Sequence, residues 1–282
     1  MEFDYHWYMP SVPNRKPDPV EINGDTPTMR LFALLEVIAS KDQFFSLQGL
    51  AQETRIPKPT LHRMLQQLEG VGLLERSVDG RHYGTGVRLR KLAENLLLND
   101  IFHGARHAVL RHLVAEVGES CNLTALSGSE VVYLDRVETA APLRFYLHPG
   151  SRVPVHCSAS GKVFLSQMTA SQRQRLLAHA PLEAHTPKTL THMDQLEPEI
   201  KQIKRQGFAL DKEEFLPGLL CVAMLVPCAS GRSNLCVAIQ APIMRLTADK
   251  ALQLLPPLRR AAEALSHIET DAAPPLTTSA RA

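Results

Sequence analysis

A run of three helical patterns that ends in a tight turn constrains the fold of this chain most strongly. Apolar residues recur at the i, i+3, i+4 spacing of amphipathic helices in three stretches of residues 27–70. Asp79-Gly80 follows between two short strand-like stretches, and this dipeptide is typical of a β-hairpin turn. Three helices followed by a small hairpin form the plan of a winged helix-turn-helix. We therefore predict this domain for residues 26–86.

The third helical stretch has an outward face that suits DNA recognition. When its leucines point to the core, the rotation of about 100° per residue turns five positions outward or to the flank. These are Pro59, His62, Arg63, Gln66 and Gln67. An arginine can pair with guanine and a glutamine with adenine. Lys58 and Thr60 at the helix start suit phosphate contacts, and Arg81 and His82 suit backbone or minor-groove contacts from the hairpin. An ordinary solvated helix face is the alternative, and the complete motif favours DNA.

The pattern changes after a helical linker at residues 87–101. Residues 102–269 mix helices and strands, which predicts an α+β domain with an antiparallel sheet. The strands are predicted at 122–126, 131–137, 143–147, 209–210, 221–226 and 235–240, and the helices at 102–117, 161–167, 170–178, 195–206 and 247–268. The last helix is expected to kink at Pro256-Pro257. Residues 1–25 are predicted to be a disordered lead and residues 270–282 a tail.

Composition and cysteine usage exclude several classes of protein. The net charge of +2 is too balanced for a polybasic membrane-binding or histone-like chain. No apolar run approaches the ~18 residues of a membrane helix, and the N-terminus has no apolar core of a secretory signal. Five scattered cysteines without a C-x-x-C motif argue against a disulfide framework. We therefore expect a cytoplasmic protein without a membrane partner.

Five blocks of sequence, in order, resemble the IclR family of transcription regulators over about residues 26–268. The blocks are Leu50–Leu65, Gly72–Arg76, Val131–Glu138, Pro154–Lys162 and Gly207–Glu214 followed by Gly218 and Cys221. The departures are modest. Pro59 replaces a small polar residue at the start of the recognition helix, and Cys157-Ser158 stands where the family often has Ala-Thr.

The resemblance implies a GAF-like α/β effector-binding domain in the second half, after the winged helix-turn-helix and the linker helix. The implied effector-binding residues are Phe145, Val153, Ala159, Ser160, Asp211, Leu219, Cys221, Ala238 and Gln240. The backbone N–H groups of Ala159 and Ser160 would bind a carboxylate at a helix N-terminus. Ala238 and Gln240 stand where some members have small hydroxyls, which favours a larger or aromatic acid over a short keto acid. The alternatives are a buried Cys221 thiol and an Asp211 that caps a turn.

Enzymatic and metal-binding functions are the alternatives to this interpretation. His156 and Cys157 are adjacent, but neighbouring residues of a strand point to opposite faces and cannot easily pair. Cys221, Cys228 and Cys236 invite comparison with GAF-like domains that reduce methionine sulfoxide, although nothing in the sequence indicates a reactive thiolate. His103 and His107 share a helix face without a third ligand, and no nucleotide motif occurs. We therefore expect no enzyme activity, no cofactor and no metal.

The sequence thus predicts a DNA-binding regulator with a small-molecule effector, expected to be an organic or aromatic acid of a catabolic pathway. Two-fold symmetry of a dimer would be mirrored in a near-palindromic operator. The leucine-rich face of the linker helix is a candidate dimer surface, and the resemblance implies dimers or dimers of dimers. A repressor is favoured over an activator. A sensor that acts only through protein partners is the alternative, and the exposed Arg63 and Gln66 argue against it.

Overall fold

The computed structural model describes residues 26–41, 44–98, 103–178, 182–228 and 231–271. The predicted lead at residues 1–25 lies outside the described residues, as does the predicted tail from residue 272 onward. The chain divides into two compact units, residues 1–91 and 92–282. Each unit is described by itself.

The N-terminal unit has the predicted order of helices and strands. Its elements are α1 (Pro27–Ala39), β1 (Phe45–Ser46), α2 (Leu47–Thr54), α3 (Lys58–Gly70), β2 (Leu74–Arg76), β3 (His82–Thr85) and the beginning of α4 (Val87–Leu98). The Ser46 hydroxyl caps α2 by accepting a bond of 3.1 Å from the Gly49 N–H. Strand β1 was not predicted, and it completes a three-stranded wing in the order β1-β3-β2. The leucines of all three helices meet in one core.

The C-terminal unit holds a six-stranded antiparallel sheet between helices. Its elements are α5 (His103–Val117), β4 (Ser120–Ser127), β5 (Glu130–Val137), β6 (Arg152–Pro154), α6 (Ala159–Ser166), α7 (Ala170–Ala178), α8 (Met193–Gln206), β7 (Phe208–Lys212), β8 (Leu219–Leu225), β9 (Leu235–Pro242), α9 (Ala248–Gln253) and α10 (Leu255–Asp271). The strand order is β6-β5-β4-β9-β8-β7. This is the predicted α+β class with an antiparallel sheet.

Helices cover both faces of this sheet, and the alternation of side chains along each strand decides which residues meet which helices. On β9, Val237 and Ile239 pack toward α5 and α10. Their neighbours Cys236 and Ala238 pack toward α6 and α8. Because β4, β8 and β9 are buried on both faces, a polar side chain on either face loses its contact with water.

Two details of the predicted C-terminal fold were wrong. Residues 143–147 form no strand; the neighbour of β5 is instead β6, and the Phe145 carbonyl accepts a bond of 2.7 Å from the Arg136 guanidinium. The last helix is not one kinked helix but two, α9 and α10, which are separated at Leu254. Pro256 and Pro257 cause the break, since proline is tolerated in the first turn of a helix but not in its interior.

A glycine allows the turn before α6 to lie against that helix. A Cβ atom on Gly161 would stand 2.3 Å from the Val155 backbone. The Ser158 hydroxyl caps α6 by accepting from the Gly161 N–H at 3.2 Å. This close approach fixes residues 155–157 as a turn against the first turn of α6, whereas His156 and Cys157 were expected from the sequence to lie on a strand.

Candidate DNA-binding surface and effector site

Helix α3 presents the predicted polar face to solvent. Leu61, Leu65 and Leu68 are buried in the core of the N-terminal unit. Of the seven α3 residues predicted to contact DNA, six are exposed and one, Thr60, is half-buried. The exposed ones are Lys58, Pro59, His62, Arg63, Gln66 and Gln67. Pro59 stands in the first turn of the helix, where its missing N–H costs no internal hydrogen bond.

Arg76 joins α3 to the wing, a role that was not predicted from the sequence. Its Nε donates to both carboxylate oxygens of Glu69 on α3, at 2.9 and 3.0 Å. Its other nitrogens donate to the Gly80 carbonyl at 3.1 Å and the Tyr83 hydroxyl at 2.8 Å. The guanidinium also lies 4.8 Å from the centre of the Tyr83 ring. These contacts hold the recognition helix and the hairpin as one surface.

The two predicted contact residues of the hairpin, Arg81 and His82, differ in their surroundings. Asp79 accepts from the Ser77 hydroxyl and from the Arg81 N–H, and these bonds lower the pKa of its carboxyl to about 2. The Asp79 carboxylate also lies 3.1 Å from the His82 Nδ1. His82 is therefore engaged within the turn, whereas the Arg81 side chain is exposed and available to a phosphate group.

Eight of the nine predicted effector-binding residues, all except Phe145, lie on or against the face of the sheet that α6 covers. Val153, Ala159, Cys221 and Ala238 belong to the buried cluster between the sheet and that helix. Gln240 and Leu219 follow on the same faces of their strands, and Ser160 is buried in the first turn of α6. Asp211 lies opposite Cys221 in the register of β7 and β8. The half-buried Phe145 is connected through its carbonyl to Arg136.

A buried polar cluster lies on this face, and its members Asn122, Tyr133 and Arg136 were not predicted from the sequence. Arg136 Nη1, the Tyr133 hydroxyl and Asn122 Nδ2 all point to one acceptor, Gln240 Oε1, at 3.2, 3.3 and 3.5 Å. Arg136 Nε, Gln240 Nε2 and Asn122 Oδ1 are buried without a hydrogen-bond partner. The Glu138 carboxylate lies 3.6 Å from Arg136 Nε, beyond hydrogen-bond distance. The presence of an arginine in the largely apolar strand sequence Val131–Val137 was the signal that could have revealed this polar cluster.

Asp211 has the turn-capping role that the sequence left open. Its Oδ1 accepts from the N–H groups of Glu214 and Phe215, at 2.7 and 3.3 Å. Burial raises the pKa of its carboxyl to about 7, which the two backbone bonds only partly oppose. Beside it, Lys162 is fully buried and donates to Glu214 at 2.6 and 2.7 Å. Burial lowers the pKa of Lys162, but Glu214 and Glu199 more than offset this, so that the net pKa is raised.

Three buried cysteines do not have the environment of reactive thiols. Burial raises the pKa of the Cys157, Cys221 and Cys236 thiols, the opposite of what a thiolate nucleophile requires. The assumption that His156 and Cys157 lie on a strand was wrong, because both belong to the turn before α6. Of the two helix histidines, His107 Nδ1 lies 3.0 Å from the Asp135 carboxylate, and the side chain of His103 is outside the described residues.

An open groove of about 570 Å³ lies elsewhere in the C-terminal unit, between α8, β7 and α9. Its lining includes Glu199, Gln202, Phe208 and Lys212 but none of the nine predicted effector-binding residues. Polar groups in such an open groove can be hydrated. The unpaired atoms under α6 are buried from bulk solvent, so a bound ligand or an internal water must supply their hydrogen bonds, and the sheet face is the stronger candidate for ligand binding.

Comparisons with known proteins agree with both units. The domain described as "IclR helix-turn-helix domain" matches residues 27–77, and "Bacterial transcriptional regulator IclR C-terminal" matches residues 95–267. A protein named "Probable transcriptional regulator SauR" from Cupriavidus necator is 43% identical, over 86% of this chain and 96% of its own. This chain belongs to the IclR family. It is therefore a DNA-binding transcription regulator that responds to a small-molecule effector.

Two further proteins are similar to this IclR-family regulator. The "Transcriptional repressor IclR" of Escherichia coli is 29% identical, over 78% of this chain and 81% of that protein. The crystal structure of the Thermotoga maritima IclR protein has a TM-score of 0.57, at 24% identity, over 85% of this chain and 97% of that chain, and it supports the fold. Within the described part of this regulator, no helix is long and apolar enough to cross a bilayer.

Replacement of Arg63 by alanine is expected to weaken binding to the specific DNA site by about 1–3 kcal/mol and to relax the base preference at one position. The exposed Arg63 side chain lies at the centre of the polar face of α3. Lys201→Ala on α8 removes a similar exposed charge from the other unit and serves as the control. Fluorescence anisotropy with a selected duplex at fixed salt measures both. Equal affinity and base preference in R63A would contradict the assignment of this face to the groove.

The buried Asp211 carboxyl is expected to make the C-terminal unit less stable as the pH rises from about 4 to about 7. Over this range the unfolded chain has lost the proton that the folded protein retains. Asp211→Asn keeps an acceptor for the two backbone N–H groups without the charge, and it should flatten the decline. Asp249→Asn, at an exposed position, is the control and should retain the decline in stability. Urea unfolding at several pH values, monitored by hydrogen exchange of β8 and β9, measures the free energy of unfolding. An unchanged slope of this free energy against pH in D211N would contradict the prediction.

Proposed function

We propose that this regulator is a cytoplasmic repressor that binds a near-palindromic operator as a homodimer and responds to a small organic acid. The acid binds on the sheet face beneath α6. The single observation that supports this site is the set of three buried polar atoms without partners, on Arg136, Gln240 and Asn122. A buried polar atom without a hydrogen bond costs roughly 1–3 kcal/mol, so a ligand that satisfies these atoms gains this free energy on binding.

The chemistry of the unpaired atoms favours an anion. Two of the three unpaired atoms, Arg136 Nε and Gln240 Nε2, are donors, and Gln240 Oε1 already accepts from three groups, which keeps the amide nitrogen on the other side. The third atom, Asn122 Oδ1, is an acceptor, which a hydroxyl group of the same acid would satisfy. A guanidinium and an amide N–H together suit the two oxygens of a carboxylate. Tyr133 and Val153, which belong to the buried cluster on the same face, supply aromatic and aliphatic surface. This surface favours an acid with an apolar or aromatic body over a short keto acid.

The proposed dimer and the sense of regulation have separate support. Leu92 and Leu96 on α4 are 50% and 64% exposed, and a second copy of the chain would remove this apolar surface from water. A relative that is named a repressor, the Escherichia coli protein, favours repression over activation. Binding of the acid would then change the relative populations of two arrangements of the dimer that differ in affinity for DNA.

Replacement of Arg136 by methionine tests the effector site. Methionine fills the space without the charge, so R136M is expected to bind the operator as the wild type does. It should release the operator only at an acid concentration about 10-fold or more above that required by the wild type, because a hydrogen bond to a charged group is lost. Release of a labelled operator is measured against a panel of aliphatic and aromatic acids.

Arg144→Met is the matched control, because Arg144 is exposed and pairs with Glu138 in the same region. It should respond like the wild type. A wild-type dose response in folded R136M would contradict the site, whereas a wild type that responds to no acid in the panel would contradict the proposed effector class.

A further inference from the structure

Three potential metal ligands converge near the start of α6. His156, Cys157 and His185 each direct one ligand atom into a common space, and these atoms all lie within 4.8 Å of one another. His156 and Cys157 come from the turn before α6, and His185 comes from the loop between α7 and α8. The sequence separates the two segments by more than one helix, so only the fold brings the three side chains together.

The two buried ligands are held in place by the surrounding protein. His156 Nε2 lies 3.0 Å from the Glu183 carbonyl, and donation of its N–H to this oxygen leaves Nδ1 as the free ligand atom. Metal-binding histidines commonly have such a bond from the second ring nitrogen, which orients the ring and selects the tautomer. Cys157 is fully buried beside it. Gly161 allows this turn to lie against α6, because any Cβ there would collide with Val155.

The third ligand lies at the surface on an anchored loop. The Thr189 hydroxyl accepts from the His185 N–H at 3.0 Å and donates to the Glu214 carbonyl at 2.6 Å. The His185 ring contacts Phe215, with the ring centres 5.6 Å apart, and its centre is 6.0 Å from that of His156. Because the His185 side chain is exposed, it can rotate slightly and bring the ligand atoms to the separation of about 3.5 Å that a tetrahedral ion requires.

We propose that His156, Cys157 and His185 form a site for a single Zn²⁺ ion. One sulfur and two imidazole nitrogens are the donors that select zinc, whereas magnesium and calcium require oxygen ligands. Three protein ligands leave a fourth position open, on the exposed side next to His185. A water molecule or an oxygen of a small anion would fill this position. The charge of the zinc ion favours the thiolate despite its burial, so the Cys157 thiol loses its proton to solvent as the sulfur–zinc bond forms, and no group is oxidised or reduced.

Titration of the full-length, untagged protein with Co²⁺ tests this site. Cobalt replaces zinc in such sites and gives visible and near-ultraviolet absorption that reports thiolate coordination. We expect one equivalent of Co²⁺ per chain with a sulfur-to-cobalt band, which Zn²⁺ then displaces. Cys157→Ser should abolish the band. His185→Ala should weaken Co²⁺ binding at least 10-fold, and its exposed position makes it the variant least prone to misfolding.

Two matched controls separate this site from adventitious binding. Cys228→Ser removes an exposed thiol, and His112→Ala removes an exposed histidine of α5. Both should retain the wild-type stoichiometry and affinity. The proposal is overturned if the wild type shows no sulfur-to-cobalt band, if C228S loses the band, or if folded C157S and H185A both bind Co²⁺ as the wild type does. If C157S fails to fold, unchanged affinity in H185A is sufficient to overturn it.

Discussion

The burial of the six-stranded sheet on both faces is the constraint on which the C-terminal unit depends. Side chains that are apolar on both faces satisfy this constraint along most of β4, β8 and β9. Asn122, Arg136 and Gln240 do not satisfy it, because each retains a buried polar atom without a partner. Natural structures rarely leave such atoms unpaired without a functional reason. The same desolvation that stabilises the sheet would therefore favour the proposed binding of a ligand that offers oxygens to Arg136 and Gln240 and a hydrogen-bond donor to Asn122.

The N-terminal unit solves a different problem, which is to present polar side chains on a rigid surface. Leucines on one side of α3 fix the helix against the core, and the bonds from Arg76 to Glu69, Gly80 and Tyr83 fix the wing against the helix. Arg63 and Gln66 are exposed on the other side of this helix. This separation would allow the proposed contacts of Arg63 and Gln66 with base edges without a cost in folding stability.

The sequence predicted the features that depend on local periodicity. The leucine spacing of α3 correctly located its exposed face, and Asp79-Gly80 correctly located the hairpin. Features that depend on tertiary neighbours were not predicted. Residues 143–147 have the composition of a strand, but β6 occupies the edge of β5. The assumption of a strand placed the His156 and Cys157 side chains on opposite faces. Only the close approach at Gly161 shows that both residues belong to a turn.

The most direct measurement is selection of bound sequences from a random duplex pool by the purified full-length protein. Salt must be held fixed, because phosphate contacts make affinity for DNA steeply salt-dependent. An operator-binding dimer that exposes Arg63 and Gln66 predicts enrichment of one near-palindromic sequence, with two half-sites related by two-fold symmetry. No enrichment by folded protein, with or without the panel of small acids, would contradict the account.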